Sequence, residues 1–161
     1  MKKELKIESY YTCYETIEDA PEEYKNLIAE AKQAVKGSYA PYSNFNVGAA
    51  LLLNNGKIIH GSNQENASYP IGFCAERTAL SAAASIAPSE KIKSITITCS
   101  CAHHPVTTPG APCGICRQTI LEAETKHQQN IEVILTGETG AIYIFKTIKD
   151  LLPLYFDGRL L

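Results

Sequence analysis

Cys74, Glu76 and Arg77 fall in the string CAER at Cys74–Arg77, and Cys113 and Cys116 fall in PCGICRQ at Pro112–Gln118. Three thiols and a carboxylate at this spacing suit a zinc ion. Three protein ligands leave one tetrahedral position open, and an open position separates a catalytic zinc from a structural one. A water held there would stand beside Glu76, whose carboxylate can take its proton and return it to a substrate nitrogen. Three thiolates leave a net negative metal core, which weakens the ion's power to acidify water. Arg77, three residues after Cys74 on the same helix face, is expected to hydrogen-bond a sulfur and withdraw that charge. Arg117, four residues after Cys113, could act likewise or form a surface ion pair.

On these residues alone other readings stay open. Cys113 and Cys116 could join Cys99 or Cys101 and His103 or His104 in a closed structural knuckle. CGIC could be a redox pair at a helix start, although that leaves Cys74 unused. Glu76 could serve only a helix dipole. CxE gains catalytic meaning when it is paired with PCxxC.

The elements that must position these groups are legible in outline. Asp19 offers an N-cap with Pro21 close behind, and Tyr24, Leu27, Ile28, Ala31 and Val35 repeat at helical spacing until Gly37. Asn46–Leu53 and Lys57–His60 read as strands joined by Asn54-Asn55-Gly56, a strong hairpin signal. Residues 61–73 read as a loop, Ala75–Ala87 as a buried helix ended by Pro88, and Ile92–Cys99 as a strand. A long loop, Ser100–Pro112, leads to a helix at about Gly114–Glu124. Ile131–Thr136 and Ala141–Phe145 read as a strand pair around the turn Gly137–Gly140, with a short helix at Ile148–Leu152. Cys74 and Cys113 therefore each sit where a loop enters a helix, and the partial positive charge and free N–H groups there favour thiolate. Strands alternating with helices imply an α/β sandwich around a mixed sheet.

Composition narrows the class further. A chain of 161 residues with a 45% apolar share reads as one domain with a core that needs no disulfides. A net charge of −2 with scattered Lys and Arg gives no footprint for a nucleic acid polymer or an anionic membrane. The opening MKKELKIE lacks the apolar core of a signal peptide, and no stretch is long enough to span a bilayer. A cytoplasmic protein is expected, in which six cysteines argue for metal ligands or buried thiols.

The strings YAPYSNFNVGAALL (Tyr39–Leu52), GSNQENASYP (Gly61–Pro70), CAERTAL (Cys74–Leu80), PCGICRQ and DLLPLYF (Asp150–Phe156) resemble, in order, the motifs of the small homotetrameric cytidine deaminases. That resemblance runs from about Tyr39 to Phe156 and joins the wider zinc nucleobase deaminase pattern of a ligand, a spacer, a Glu and then P-C-x-x-C. It implies a three-layer α/β/α sandwich with a mixed five-stranded sheet. Residues 21–161 would form one catalytic domain, whereas residues 1–20 lie outside the matched region and, from the weak alternation of Ile7, Ser9, Tyr11 and Cys13, read as an added edge strand or arm. It implies Zn2+, one per subunit, on Cys74, Cys113 and Cys116, with Glu76 as the proton shuttle. The reaction would be hydrolysis of cytidine and deoxycytidine to uridine and deoxyuridine with release of ammonia, in pyrimidine salvage.

By the same resemblance, Asn63 and Glu65 would bind the ribose 3′-hydroxyl and Phe45 would pack on the pyrimidine. The Ala75 backbone and Glu76 would read the base's polar edge, and Tyr69 and Phe156 would reach a neighbouring subunit's site in a homotetramer. Without the resemblance Asn63 reads as a turn residue, Glu65 as a solvated charge and Phe45 as a core aromatic. Rival readings are a deaminase of another aminopyrimidine nucleoside such as blasticidin S, and a non-catalytic zinc-stapled scaffold. Three departures stand out: Ala111 where a serine is usual, a longer Cys99–Pro112 loop bringing Cys101, His103 and His104 near the zinc motif, and the unmatched arm.

Overall fold

The zinc strings are brought together by one edge of a mixed sheet. The computed structural model describes residues 1–161, the side chain of Leu160 excepted. Its strands are β1 (Thr12–Tyr14), β2 (Phe45–Leu53), β3 (Ile58–Ser62), β4 (Ile92–Cys101), β5 (Glu132–Thr136) and β6 (Ile142–Phe145). They lie side by side in the order β1-β6-β5-β4-β2-β3, with β4–β5 parallel and every other neighbouring pair antiparallel. The helices are α1 (Glu22–Val35), α2 (Ala75–Ile86) and α3 (Gly114–His127).

Period-two alternation divides the sheet into two faces. Ala49, Leu51, Leu53, Ile95, Ile97, Val133 and Leu135 face α2 and α3, where they meet Ala75, Ala79, Ile120 and Leu121 in the larger core. Ile134, Ile142 and Ile144 face the other way and pack under Leu27 and Ile28 of α1. The result is the expected α/β/α sandwich, with six strands where five were expected. The sixth is β1: Thr12, Cys13 and Tyr14 pair with Ile144, Tyr143 and Ile142. The Tyr11 ring settles against Tyr143 and Phe145, at centroid distances of 4.9 and 5.2 Å. The N-terminal segment thus covers a sheet edge that would otherwise carry unpaired backbone groups.

Small shifts occur at element ends. Asp19 does not cap α1; its carboxylate accepts from the Thr16 amide and hydroxyl in a preceding turn, and Pro21 occupies the cap position. β4 continues to Cys101 because Phe45 and Asn46 pair with Cys101 and Ser100. α3 runs on to His127 and stops at Gln128, which is left-handed at φ 50° with Lys126 and His127 in the last turn. The short helix after β6 is 3₁₀, Ile148–Leu151.

β2 is antiparallel to both neighbours, so the start of β2 and the ends of β3 and β4 lie along one edge. The chain leaves β3 there for α2 and leaves β4 there for α3, so both helices begin near that edge. Close packing keeps them there. A Cβ on Gly61 of β3 would lie 2.3 Å from the Ala75 carbonyl and 2.5 Å from the Ala79 amide. On the opposite face, a Cβ on Gly48 would lie 2.2 Å from the Ala31 carbonyl. Gly61→Ala is therefore expected to push the start of α2 off the sheet, lowering stability by about 1–3 kcal/mol and weakening zinc retention. Urea unfolding with a zinc assay checks this; an unchanged midpoint and zinc content would show that α2 has room to move.

Candidate active site

Cys74 and Cys113 are the N-cap residues of α2 and α3, both in extended backbone conformation, and neither side chain caps its helix. Their sulfurs are thus free to face each other across the gap between the two helix starts. Cys116 lies in the first turn of α3 and is fully buried. The sulfurs of Cys74 and Cys113 are 3.8 Å apart, those of Cys113 and Cys116 3.5 Å, and all three lie within 4.8 Å of one another. A tetrahedral zinc with Zn–S bonds of about 2.3 Å places its sulfurs about 3.8 Å apart, so the trio fits the ion.

The protons on this trio are unequally held. Hydrogen bonding from Cys116 draws the Cys74 thiol down to about 6, against opposing burial and the Glu76 charge, with help from Cys113 and Arg77. The Cys116 thiol is raised, by the same contact with Cys74, by burial and by the Glu76 charge. Glu76, in the first turn of α2, is only 4% exposed, and burial raises its carboxyl above the usual range. Glu76 nevertheless faces a cleft of about 580 Å³, whose wall also includes Cys74 and Cys113.

Buried Glu76, Ile97 and Cys99 form the inner part of that cleft, while Phe45, Phe73, Tyr42 and Tyr69 are its exposed apolar border. Asn63 and Glu65 line it as well. The Asn63 side chain extends the β2–β3 ladder: its Oδ1 accepts from the Val47 amide at 2.8 Å and its Nδ2 donates to the Phe45 carbonyl at 2.9 Å. Glu65 gathers the turn before β2, accepting from the amides of Tyr42 (2.9 Å) and Ser43 (3.3 Å) and from the Ser43 hydroxyl. The Ser43 hydroxyl and then the Tyr42 amide hold the Glu65 carboxyl below its ordinary value. With three of about four acceptor positions on its carboxylate taken, Glu65 keeps one for a ligand.

Other residues sit differently from expectation. The Arg77 guanidinium lies 4.4 Å from the centre of the Phe73 ring and acts on Cys74 through its charge. Among the described residues no hydrogen bond joins it to a sulfur. Among the described residues Arg117 has no hydrogen bond to a sulfur and no ion pair; its Nε and a terminal nitrogen donate to the carbonyls of Pro112 and Leu151, both at 2.8 Å. It thereby ties the loop before Cys113 to the C-terminal segment. Ala75 is buried with its carbonyl against Gly61 and is not part of the cleft wall. Tyr69 is 74% exposed at the cleft border, its ring 5.7 Å from that of Tyr42.

Phe156 is exposed outside the cleft, its carbonyl accepting from Gln118. Cys101 and His103 do not join the sulfur trio; His103 meets Asn44 at 3.3 Å. Sequence spacing gave no sign of Ser43, since its partner Glu65 lies 22 residues away.

Residues 21–130 match the sequence model of the family described as the cytidine and deoxycytidylate deaminase zinc-binding region. The chain is 42% identical over 136 residues to the cytidine deaminase of Halalkalibacterium halodurans, covering 83% of this chain and 93% of that one. It is 44% identical over 129 residues to the cytidine deaminase of Sporosarcina psychrophila, covering 80% and 88%. A crystal structure of cytidine deaminase from Burkholderia pseudomallei superposes with a TM-score of 0.69 at 43% identity, covering 83% and 98%.

Arg117→Met removes both donors from the loop before Cys113. It is expected to lower stability by about 1.5–3 kcal/mol and to speed zinc release to a chelator; a release rate equal to the parent's would separate Arg117 from the metal cradle.

Proposed function

This chain belongs to the cytidine and deoxycytidylate deaminase family, and from that premise we propose that it is a zinc-dependent cytidine deaminase. It converts cytidine and deoxycytidine to the corresponding uracil nucleosides and ammonia. The observation that carries this reading is the sulfur trio of Cys74, Cys113 and Cys116, at tetrahedral spacing, beside buried Glu76 in one cleft. Bound there, zinc supplies the Lewis acidity that makes water a nucleophile near neutral pH.

With zinc held by Cys74, Cys113 and Cys116, Glu76 would take a proton from the water whose oxygen adds to C4 of the cytosine ring, and deliver it to N3. It next carries the water's second proton to the exocyclic amine, which departs as ammonia when the C–N bond breaks. Burial of the carboxylate suits this task, since it weakens the penalty for holding a proton. Arg77 offsets the negative charge of the thiolates without occupying a coordination position.

Substrate roles follow the cleft's lining. The Phe45 ring packs on the pyrimidine, Glu76 and, from the family resemblance rather than the lining, the Ala75 backbone read its polar edge, and Asn63 and Glu65 take the ribose 3′-hydroxyl. Both polar residues retain hydrogen-bonding capacity after their structural contacts. Tyr69 and Phe156 reach the sites of neighbouring subunits in a homotetramer, a reading supported by their exposure and by Phe156 lying outside its own cleft. Residues 21–161 act as the catalytic domain, with residues 1–20 as an arm carrying β1. All six cysteines are free thiols, which suits a reducing cytoplasm and work in pyrimidine salvage. No helix among the described residues is long and apolar enough to cross a membrane.

Glu76→Gln is expected to keep the fold and one zinc per chain while losing nearly all turnover, read from the ultraviolet change as cytidine becomes uridine. An active Glu76→Gln protein sinks this mechanism. Cys113→Ala should lose metal and activity together; loss of stability alone would favour a structural zinc. A panel of cytidine, deoxycytidine, cytosine and blasticidin S separates nucleoside salvage from its rivals, and a zinc-loaded chain inert on all of them would be a scaffold.

A further inference from the structure

The long loop between β4 and α3 does not hang free. Its middle is gripped by the β5–β6 turn, which lies beyond α3 in the chain. The Glu138 amide donates to the Val106 carbonyl at 2.8 Å, and the Glu138 Oε2 accepts from the Val106 amide at 2.7 Å. One residue thus satisfies both backbone groups of another, as a partner strand would. Two glycines let the loop sit this close. A Cβ at Gly137 would lie 2.3 Å from the Val106 carbonyl, and one at Gly140, where φ is +88°, 2.4 Å from the Thr107 carbonyl.

The gripping turn is itself anchored. Lys32 of α1 donates to the Glu138 carbonyl at 2.9 Å, and the buried Thr98 hydroxyl to the Gly137 carbonyl at 3.0 Å. Four residues beyond Val106 the loop reaches Gly110, where a Cβ would lie 2.7 Å from the Cys99 sulfur. That close approach leaves no room for a side chain and seats the Gly110 backbone against buried Cys99. Gly110 and Ala111 then form the cleft wall that runs into Cys113.

We propose that Glu138 is a positioning residue for the cleft: by holding Val106 at both its amide and its carbonyl, it fixes the loop whose far end, Gly110–Ala111, walls the reacting end of the substrate. The inference rests on the deaminase reading for its chemical consequence, but its mechanical half is independent of it. Glu138 touches neither substrate nor metal. Its effect passes through a backbone that is pinned at Val106 and at Gly110, with only short, turn-prone residues between. A wall displaced by even about 1 Å can cost up to about a hundredfold in rate.

The test compares zinc-loaded Glu138→Ala and Glu138→Gln with the parent, by cytidine kinetics and by amide hydrogen exchange. Glutamine keeps an acceptor for the Val106 amide and removes only the charge. Glu138→Ala is expected to lower kcat/KM about tenfold or more, at undiminished zinc content, and to raise exchange at both Val106 and Gly110. Glu138→Gln should restore protection at both amides and bring kcat/KM to within about threefold of the parent. Parent-like kinetics in Glu138→Ala, or unchanged protection at Gly110, overturns the proposal. So does a Glu138→Gln protein as impaired as Glu138→Ala. If Glu138→Ala does not accumulate, Glu138→Asp, whose shorter side chain falls back from Val106, is read in its place by the same criteria. A parent without turnover on cytidine defeats the deaminase reading alone, and the Gly110 exchange still decides the clamp.

Discussion

Three sulfurs can share one ion only if α2 and α3 begin within a few ångströms of each other, and much of the structure serves that coincidence. The sheet supplies it through direction: β3 and β4 run the same way on either side of β2, so their exits lie along one edge. Each helix then opens on a cysteine whose side chain has no capping duty. The backbone N–H groups that such a cap would have satisfied remain as a positive field at the sulfurs. Gly61 lets α2 seat against β3 with no side chain between them, and Arg117 holds the approach to α3 by two carbonyls. A shift in either helix start opens the sulfur triangle, and at α2 it carries Glu76 with it.

The same edge explains why the polar residues of the cleft have two employments. Asn63 lies just past the end of β3 and replaces missing ladder rungs with its amide. Glu65 folds the Tyr42–Ser43 turn over the start of β2. Such side chains cannot swing freely, because moving them breaks backbone contacts of the strand that carries Phe45. Their remaining hydrogen-bonding positions are therefore fixed by the fold itself, which would leave little ordering to oppose a ligand bound there.

Much of this was legible in the sequence, and the part that was not has a common cause. Helix starts at Cys74 and Cys113, the apolar stripe of α1 and the Asn55-Gly56 turn are local signals, written within a few residues of where they act. The turn even shows the positive φ, +85°, at Gly56 that its type requires. Contacts that join distant segments leave no periodicity to read. Glu138 meets a residue 32 positions away, Arg117 one 34 positions away, and the buried Glu124 accepts from the Ile131 and Ile148 amides of two separate segments. β1 was faint for another reason: three residues are too few for alternation to show, and its place is set by the free edge of β6. The expected bond from Arg77 to a sulfur failed because helical spacing gives a face and not a partner, and Phe73 offers that face an aromatic ring.

Two carboxylates in the cleft show how environment divides labour between identical groups. Glu65 is ringed by donors, chiefly the Ser43 hydroxyl and the Tyr42 amide, and is held below the ordinary carboxylate range. It stays ionised and can only accept hydrogen bonds. Glu76 is enclosed among apolar groups and thiols, and burial pushes its proton affinity up. A cation on the three sulfurs would oppose that push. The two carboxyls are thus displaced in opposite directions, Glu76 toward holding a proton and Glu65 toward losing it. The cleft therefore separates two identical side chains in proton affinity through what surrounds each of them, as the proposed division between proton transfer and recognition requires.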